Sequence, residues 1–400
     1  MAGPFLTRDT ELLFKTESTW GTDPTLAGTD ALAHKVVAGF GFNRVVARFD
    51  RDQDRAPGVA DILSTHKGRE HSTWDLECDV VPSGNASTPT APDIDPVLYS
   101  LFGSRATATA HTTTTAGSAG TSIVLTGGGG AASGIPTGGG VLIACDVSAA
   151  VGVEVRFVVS RSTDTLTIDR AFTTDPASGR AVYVGTTYTL LQTATVSSYI
   201  KGFMGAGNNM RYAVPGAITQ SGTLSINGAS DTPVAGWSFS GLGAAITTHS
   251  LSRPTMTTAG VPLIPTASKV WIGSSAAAKI VNAELALKNI LDLRMNDLGS
   301  LMPTGVKRTG NSSRYDHTMK LDILLEDGGA IEGYYSGSAN LTAYDVIVQL
   351  GVAPGAMLAW RARNWIPDAP LGDVDNEVAI NAAGRCYGTA GDDSVVLTVF

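Results

Sequence analysis

The feature that most constrains this sequence is a repeat. The stretch VVAGFGFNRVVARFDRD, residues 36–52, is written a second time as VNAELALKNILDLRMND, residues 281–297. At this one offset, Val36 falls on Val281, Phe40 on Leu285, Phe42 on Leu287, Val45 on Ile290 and Asp52 on Asp297. The same offset carries TWDLECDVV (73–81) onto TMKLDILLE (318–326), with Trp74 on Met319, Leu76 on Leu321, Glu77 on Asp322 and Cys78 on Ile323. Both blocks alternate apolar and polar residues, the period of a strand with one buried face. Two copies of a β unit are therefore expected.

Between the repeated strands lie polar connections, 51–72 and 296–317. Hairpin loops usually take about two to five residues, so connections of this length point to a function. A short helix is expected after each second strand, over 91–103 and 339–351, with Asp93 and Thr342 as N-caps and Gly103 and Gly351 closing them. Closing strands follow at 210–242 and 363–400, each with a Pro-marked turn and an Ile-Asn pair (Ile226-Asn227, Ile380-Asn381). Residues 104–190 have no counterpart in the second half. After a Thr/Ala-rich run, short strands at regular spacing read as a small β-barrel or sandwich inserted into the first copy, expected on the outer surface.

The 400 residues are 43% apolar and 16% charged, with net charge −8. Two or three domains with real cores are expected, and an acidic surface disfavours sequence-reading nucleic-acid binding. Cys78, Cys145 and Cys386 are odd in number and form no CxxC, which argues against a disulfide framework or structural zinc. The start carries charges every few residues rather than a signal-peptide core, and no run of about 18 apolar residues suggests a membrane helix.

No motif nominates a catalytic site, and no cofactor is expected. GGGGAASG (127–134) lacks the Lys-Ser/Thr ending of a phosphate cradle, and GFGFNR (39–44) lacks a dinucleotide loop's third glycine. Asp50, Asp52 and Asp54 have the spacing of a calcium loop's first ligands, but Arg55 stands where that loop needs glycine. His66, His71 and His317 fall on the long connections and read as surface or interface residues. The six tryptophans are dispersed, as packing residues are.

FKTESTWGTDPTLAGTDALAHKVV (14–37), KGREHSTWDLECDVVPSGNASTPTAPDIDPVLYSLFG (67–103) and the closing AELALKN, RMNDLG and VVLTVF segments resemble the major tail proteins, or tail tube proteins, of long-tailed (siphovirus-type) bacteriophages. The resemblance covers most of the chain except 104–190. It implies a mainly β fold of two duplicated tail-tube β-sandwich or barrel domains, each with a short flanking helix, plus the inserted β domain. The divisions would be an N-terminal arm (1–30), a first tube domain (31–103 and 191–245), the insert (104–190) and a second tube domain (250–400).

By that resemblance the chain is a structural virion protein, not an enzyme, made in the host cytoplasm. Its rings, three chains with pseudo-sixfold symmetry, would stack into a conduit through which DNA passes without specific binding. The implied partners are further copies of the chain and the tape measure, tail terminator and baseplate or distal tail proteins, with no membrane. Asp50, Arg51, Asp52, Asp54, Arg55, Lys67, Arg69 and Glu70 in one connection, and Asp297, Lys307, Arg308 and Arg314 in the other, are the candidate contacts between rings. A capsid decoration or baseplate component is the alternative.

Overall fold

The computed structural model describes residues 11–27, 30, 39–50, 65–191, 193–204, 210–228, 234–253, 262–265, 268–273, 275–276, 280–308, 316–324, 337, 340–368, 371–374, 377–389 and 392–400. The chain is mainly β, and its sheets are antiparallel.

The first half begins with β1 (Glu11–Thr16), β2 (Gly39–Asp50), β3 (Thr65–Asp79) and α1 (Asp95–Phe102). The insert follows as β4 (Gly103–Thr107), β5 (Thr112–Thr113), β6 (Ser122–Val124), α2 (Gly129–Ala132), β7 (Val141–Ser148), β8 (Gly152–Ser162), β9 (Thr165–Ile168), β10 (Ala181–Val184) and β11 (Thr186–Leu190). The first half then resumes with β12 (Ser198–Met204), β13 (Met210–Asn227) and β14 (Gly236–Gly243). The second half holds β15 (Lys269–Ile272), β16 (Ser275–Ala276), β17 (Ile280–Lys288), β18 (Leu291–Leu293), β19 (Val306–Arg308), β20 (Thr318–Leu324), β21 (Tyr344–Leu350), β22 (Leu358–Asp368), β23 (Leu371–Val374), β24 (Glu377–Cys386) and β25 (Val395–Val399).

The pairings of the two halves run in the same order. In the first, β2 pairs with β3, β3 with β14 and β14 with the end of β13, while the start of β13 pairs with β12 and β12 with β1. In the second, β17 pairs with β20, β20 with β24 and β24 with the end of β22, while the start of β22 pairs with β21 and β21 with β15. Strand β23 continues β22 along β24 in the same register. The hairpins differ in one respect. Phe40 faces Leu76, yet Leu285 faces Met319 rather than Leu321. A slip of two residues keeps every side chain on its original face, so the core is conserved.

Strand β13 passes from β12 in one layer to β14 in the other between Ala217 and Ile218, just before a bulge between Thr219 and Ser221. The second of these layers, in order β2-β3-β14-β13-β17-β20-β24, runs through both halves because β13 also pairs with β17. One apolar core fills the space beneath it, from Trp74, Leu76, Trp237 and Phe239 through Leu224, Leu285 and Leu321 to Val346, Trp360 and Leu397. The Thr-Trp-Gly segment is pinned at the bend of β13. Glu17 accepts hydrogen bonds from the Gly216 and Gly21 amides (2.8 and 2.9 Å), and Trp20 lies where a Cβ on Gly216, at φ +60°, would stand.

Helix α1 forms where the sequence places it and ends at Gly103, in the left-handed region with its N–H on the Tyr99 carbonyl. Its N-cap is Ile94, not Asp93. The second expected helix is not formed: residues 344–350 are strand β21, between β15 and β22. Val346, Val348 and Leu350 enter the main core while Ile347 is buried on the other face. A strand buried on both faces loses its alternation and reads like a helix. Gly351 is still required, at φ +76° against the Ala356 carbonyl, but for a turn after a strand. Pro215 and Pro367 lie within β13 and β22, Pro233 and Pro370 lie outside the described residues, and the two Ile-Asn pairs fall on non-corresponding strands, β13 and β24.

The insert has its own sheet, β5-β10-β7-β8-β9-β6, and its own core of Ile123, Ile143, Val158, Leu166 and Val182. Its ends pair as β4 with β11, and β11 also pairs with β25. Although written into the first half, it packs on the second. Leu142, Ala144, Val153 and Val155 meet Trp271, Ile347, Met357, Ala359, Val396 and Phe400. Gln349 locks this contact, accepting from the Val155 amide (3.0 Å) and donating to the Val153 carbonyl (3.2 Å).

Candidate assembly surface

Among the described residues, beyond the pair Gly243–Ser72, where β14 ends, the ladder of β2 and β3 continues with no further strand beside it. Arg44–Asp50 and Thr65–His71 thus form a two-stranded arm instead of the expected loop. Lys67, Arg69 and Glu70 lie on its strand β3, and Asp50 ends β2. Arg51, Asp52, Asp54, Arg55 and Arg314 lie outside the described residues.

The Glu70 carboxylate has no solvent exposure and is ion-paired with Lys67 and Arg44. Long cationic side chains cover it, rather than the core. The Lys67 hydrogen bond, opposed by desolvation and aided by Arg44, holds its carboxyl below the usual glutamate range. Its backbone N–H donates to the Leu301 carbonyl (2.8 Å), so the second long connection is strapped to the arm.

That connection is ordered over 291–308 by the small hairpin β18–β19. Leu291, Leu293 and Val306 pack beneath Ile218 and Leu242. Asp297 accepts from the Thr304 hydroxyl, Lys307 lies 3.7 Å from Asp292, and Arg308 faces Leu291 in the ladder. The described members Lys67, Arg69 and Glu70 of one set and Asp297, Lys307 and Arg308 of the other are thereby brought to the same end of the fold.

His317 is not at the surface. It is 2% exposed, and its Nδ1 accepts from the Lys288 amide (3.3 Å). Burial drives its pKa down to about 4, against a weaker opposing effect of Asp316. Cys78, Cys145 and Cys386 are free and buried, their thiols pushed up to about 12 by desolvation.

The layer that runs through both halves turns a polar face away from the core. Asp75 stands opposite Ser240 and Glu77 opposite Ser238. Ser240 and Ser221 share a hydroxyl hydrogen bond (2.6 Å). Ser225 stands opposite Glu284, and Glu284 opposite Lys320. Lys320 is neutralised by Asp322 (3.5 Å) and Arg385 by Asp316 (3.2 Å), while Lys288 stands on the same face opposite Ser221. This face was in principle readable from alternation, which separates two faces without labelling them.

Both ends of the layer are open edges. Among the described residues β2 pairs only with β3, and the stretch formed by the end of β22 and β23 pairs across its length only with β24. Exposed edges template pairing with another chain. Among the described residues no group of three or more His, Cys, Asp and Glu side chains could hold a metal ion, and no helix is long and apolar enough to cross a membrane. The chain matches no protein-family model, and no curated protein is similar to it.

Proposed function

We propose that this chain is a tail tube protein of a long-tailed bacteriophage, a structural virion component and not an enzyme. Two copies of one β unit make up the chain, and three chains close a ring of pseudo-sixfold symmetry. Stacked rings form the conduit for DNA. The observation that carries this reading is the β13–β17 ladder, in which Ser221 faces Lys288 and Asn227 faces Asn282. It joins the end of the first half's long bent strand to the first hairpin strand of the second. The open edges are the same two elements left over: β2, which corresponds to β17, and β22–β23, which corresponds to β13. A contact already made once within the chain can thus be repeated between chains until the edges vanish.

Each chain would contribute eight inner strands, β22–β23 counted as one. At about 4.8 Å per strand, three chains give a barrel about 37 Å across before strand tilt widens it. The polar face, acidic at Asp75, Glu77 and Glu284 and with Lys320 and Arg385 paired, would line the lumen. Unpaired Lys and Arg are what grip phosphate, so paired ones let DNA slide. Tape measure, terminator and distal tail proteins are the expected partners at the ends.

Negative-stain imaging of the purified chain tests this reading. Rods or stacked rings are expected at high concentration, and a protein that stays monomeric at all concentrations contradicts it.

A further inference from the structure

We propose that stacked copies of this chain lock head to tail, an apolar knob on one end of the fold entering an apolar pocket at the other. This rests on the tube reading for the stacking itself and adds the contact that sets its polarity.

The knob is the loop between β18 and β19. Leu298 is 100% exposed, Leu301 54% and Met302 48%. The loop is nevertheless well fixed: the Arg294 amide donates to the Gly305 carbonyl (2.8 Å), the Thr304 amide to Arg294 (3.1 Å), the Ser300 hydroxyl bonds Met302, and Glu70 holds Leu301. Clustered apolar side chains held in water on a rigid loop mark an interaction site, and fixing them in advance lowers the entropy lost on docking.

The pocket lies at the opposite end of the same strands. Its cavity of about 110 Å³ opens to solvent between Ile226, Pro265, Val270, Ile280, Val281 and Val348. A cavity of about 150 Å³ accepts a benzene ring, so this one suits a single aliphatic side chain. Strand β17 fixes the polarity: Ile280 at its start lines the pocket, while Lys288 at its finish leads directly into β18 and the knob. Strand β17 itself spans about 27 Å between its two ends. Opposite ends cannot meet within one molecule, but translation of a second copy along the strands brings them together. Such a heterologous contact does not close and so propagates. The second copy is the occupant the geometry favours; a different protein at a tube end is the competing one.

The test mixes two full-length variants, L298C and S268C, under mild oxidation. Ser268 is an exposed residue on the pocket lining, and the native cysteines are buried. Disulfide-linked dimers are expected only when both variants are present. In parallel, L298D, and separately L298S/M302S, should keep the wild-type circular dichroism and still form rings, with tubes at least tenfold shorter. Absence of cross-links, cross-links in either variant alone, or tubes of normal length from folded variants overturns the inference. If the wild type forms neither rings nor tubes, the tube reading fails, while the mixed cross-link still decides whether knob and pocket of two copies meet.

Discussion

Leu224 of β13 and Leu285 of β17 stand opposite each other, 61 positions apart in sequence, and through their ladder the two halves of the chain become one sheet. Both are fully buried, in a core that crosses the junction without a break. Truncating Leu285 to alanine should cost about 2–5 kcal/mol, as for other buried leucines. Because the core is shared, urea unfolding should remain a single transition. Two transitions would mean that the halves are independent.

The free edge of β2 provides a more selective test. Proline is tolerated on an edge strand where its missing N–H would face outward. At Asn43 or Arg44, whichever directs its N–H away from β3, proline should leave a folded monomer with native circular dichroism and abolish association. Normal rings from both variants would remove β2 from the chain-to-chain contact.

Deleting the insert should not be neutral. Replacing residues 109–184 by a short Gly/Ser linker spares β4 and β11 but uncovers Trp271, Ile347, Met357 and Phe400. Each large apolar side chain loses about 1.5–3 kcal/mol of burial. A lowered melting temperature and binding of a hydrophobic dye are expected. Full stability after the deletion would contradict this packing.

Acid should weaken the fold through His317. Its folded pKa of about 4 lies below the ordinary 6.5, so the unfolded chain takes up a proton that the native one refuses. Stability is complete above pH 6.5 and falls by roughly 3 kcal/mol as the pH drops toward 4. The slope of stability between these values should flatten in His317→Gln. Glu70 acts lower: its depressed pKa contributes stability above the ordinary glutamate value that is lost as pH falls further, and with exposed partners the effect is about 1 kcal/mol or less.

Much of the layer that runs through both halves was legible in the sequence because its strands bury one face only. Trp74, Leu76 and Cys78 alternate with Asp75 and Glu77, and the repeat found them without any knowledge of pairing. Helix α1 was legible from its apolar spacing and its Gly103 stop, although its cap is Ile94 rather than Asp93. Strand β21 was not, because Ile347 and Gln349 are buried by the insert as fully as Val346 and Val348 are by the core. His317 was misplaced for a related reason: it looks like the end of a polar loop, and only the Lys288 amide and the strands around it show that it is enclosed. The knob at Leu298, Leu301 and Met302 shows in the sequence only as apolar residues inside a polar connection, between charged flanks.

The most direct test of the account is a reconstruction of the assembled protein by cryo-electron microscopy. Three chains per ring are predicted, with six similar inner units, β2 of each chain paired to β22–β23 of the next, and three outward protrusions from the single inserts. Six chains per ring, or rings in which either of those edges stays unpaired, would contradict it.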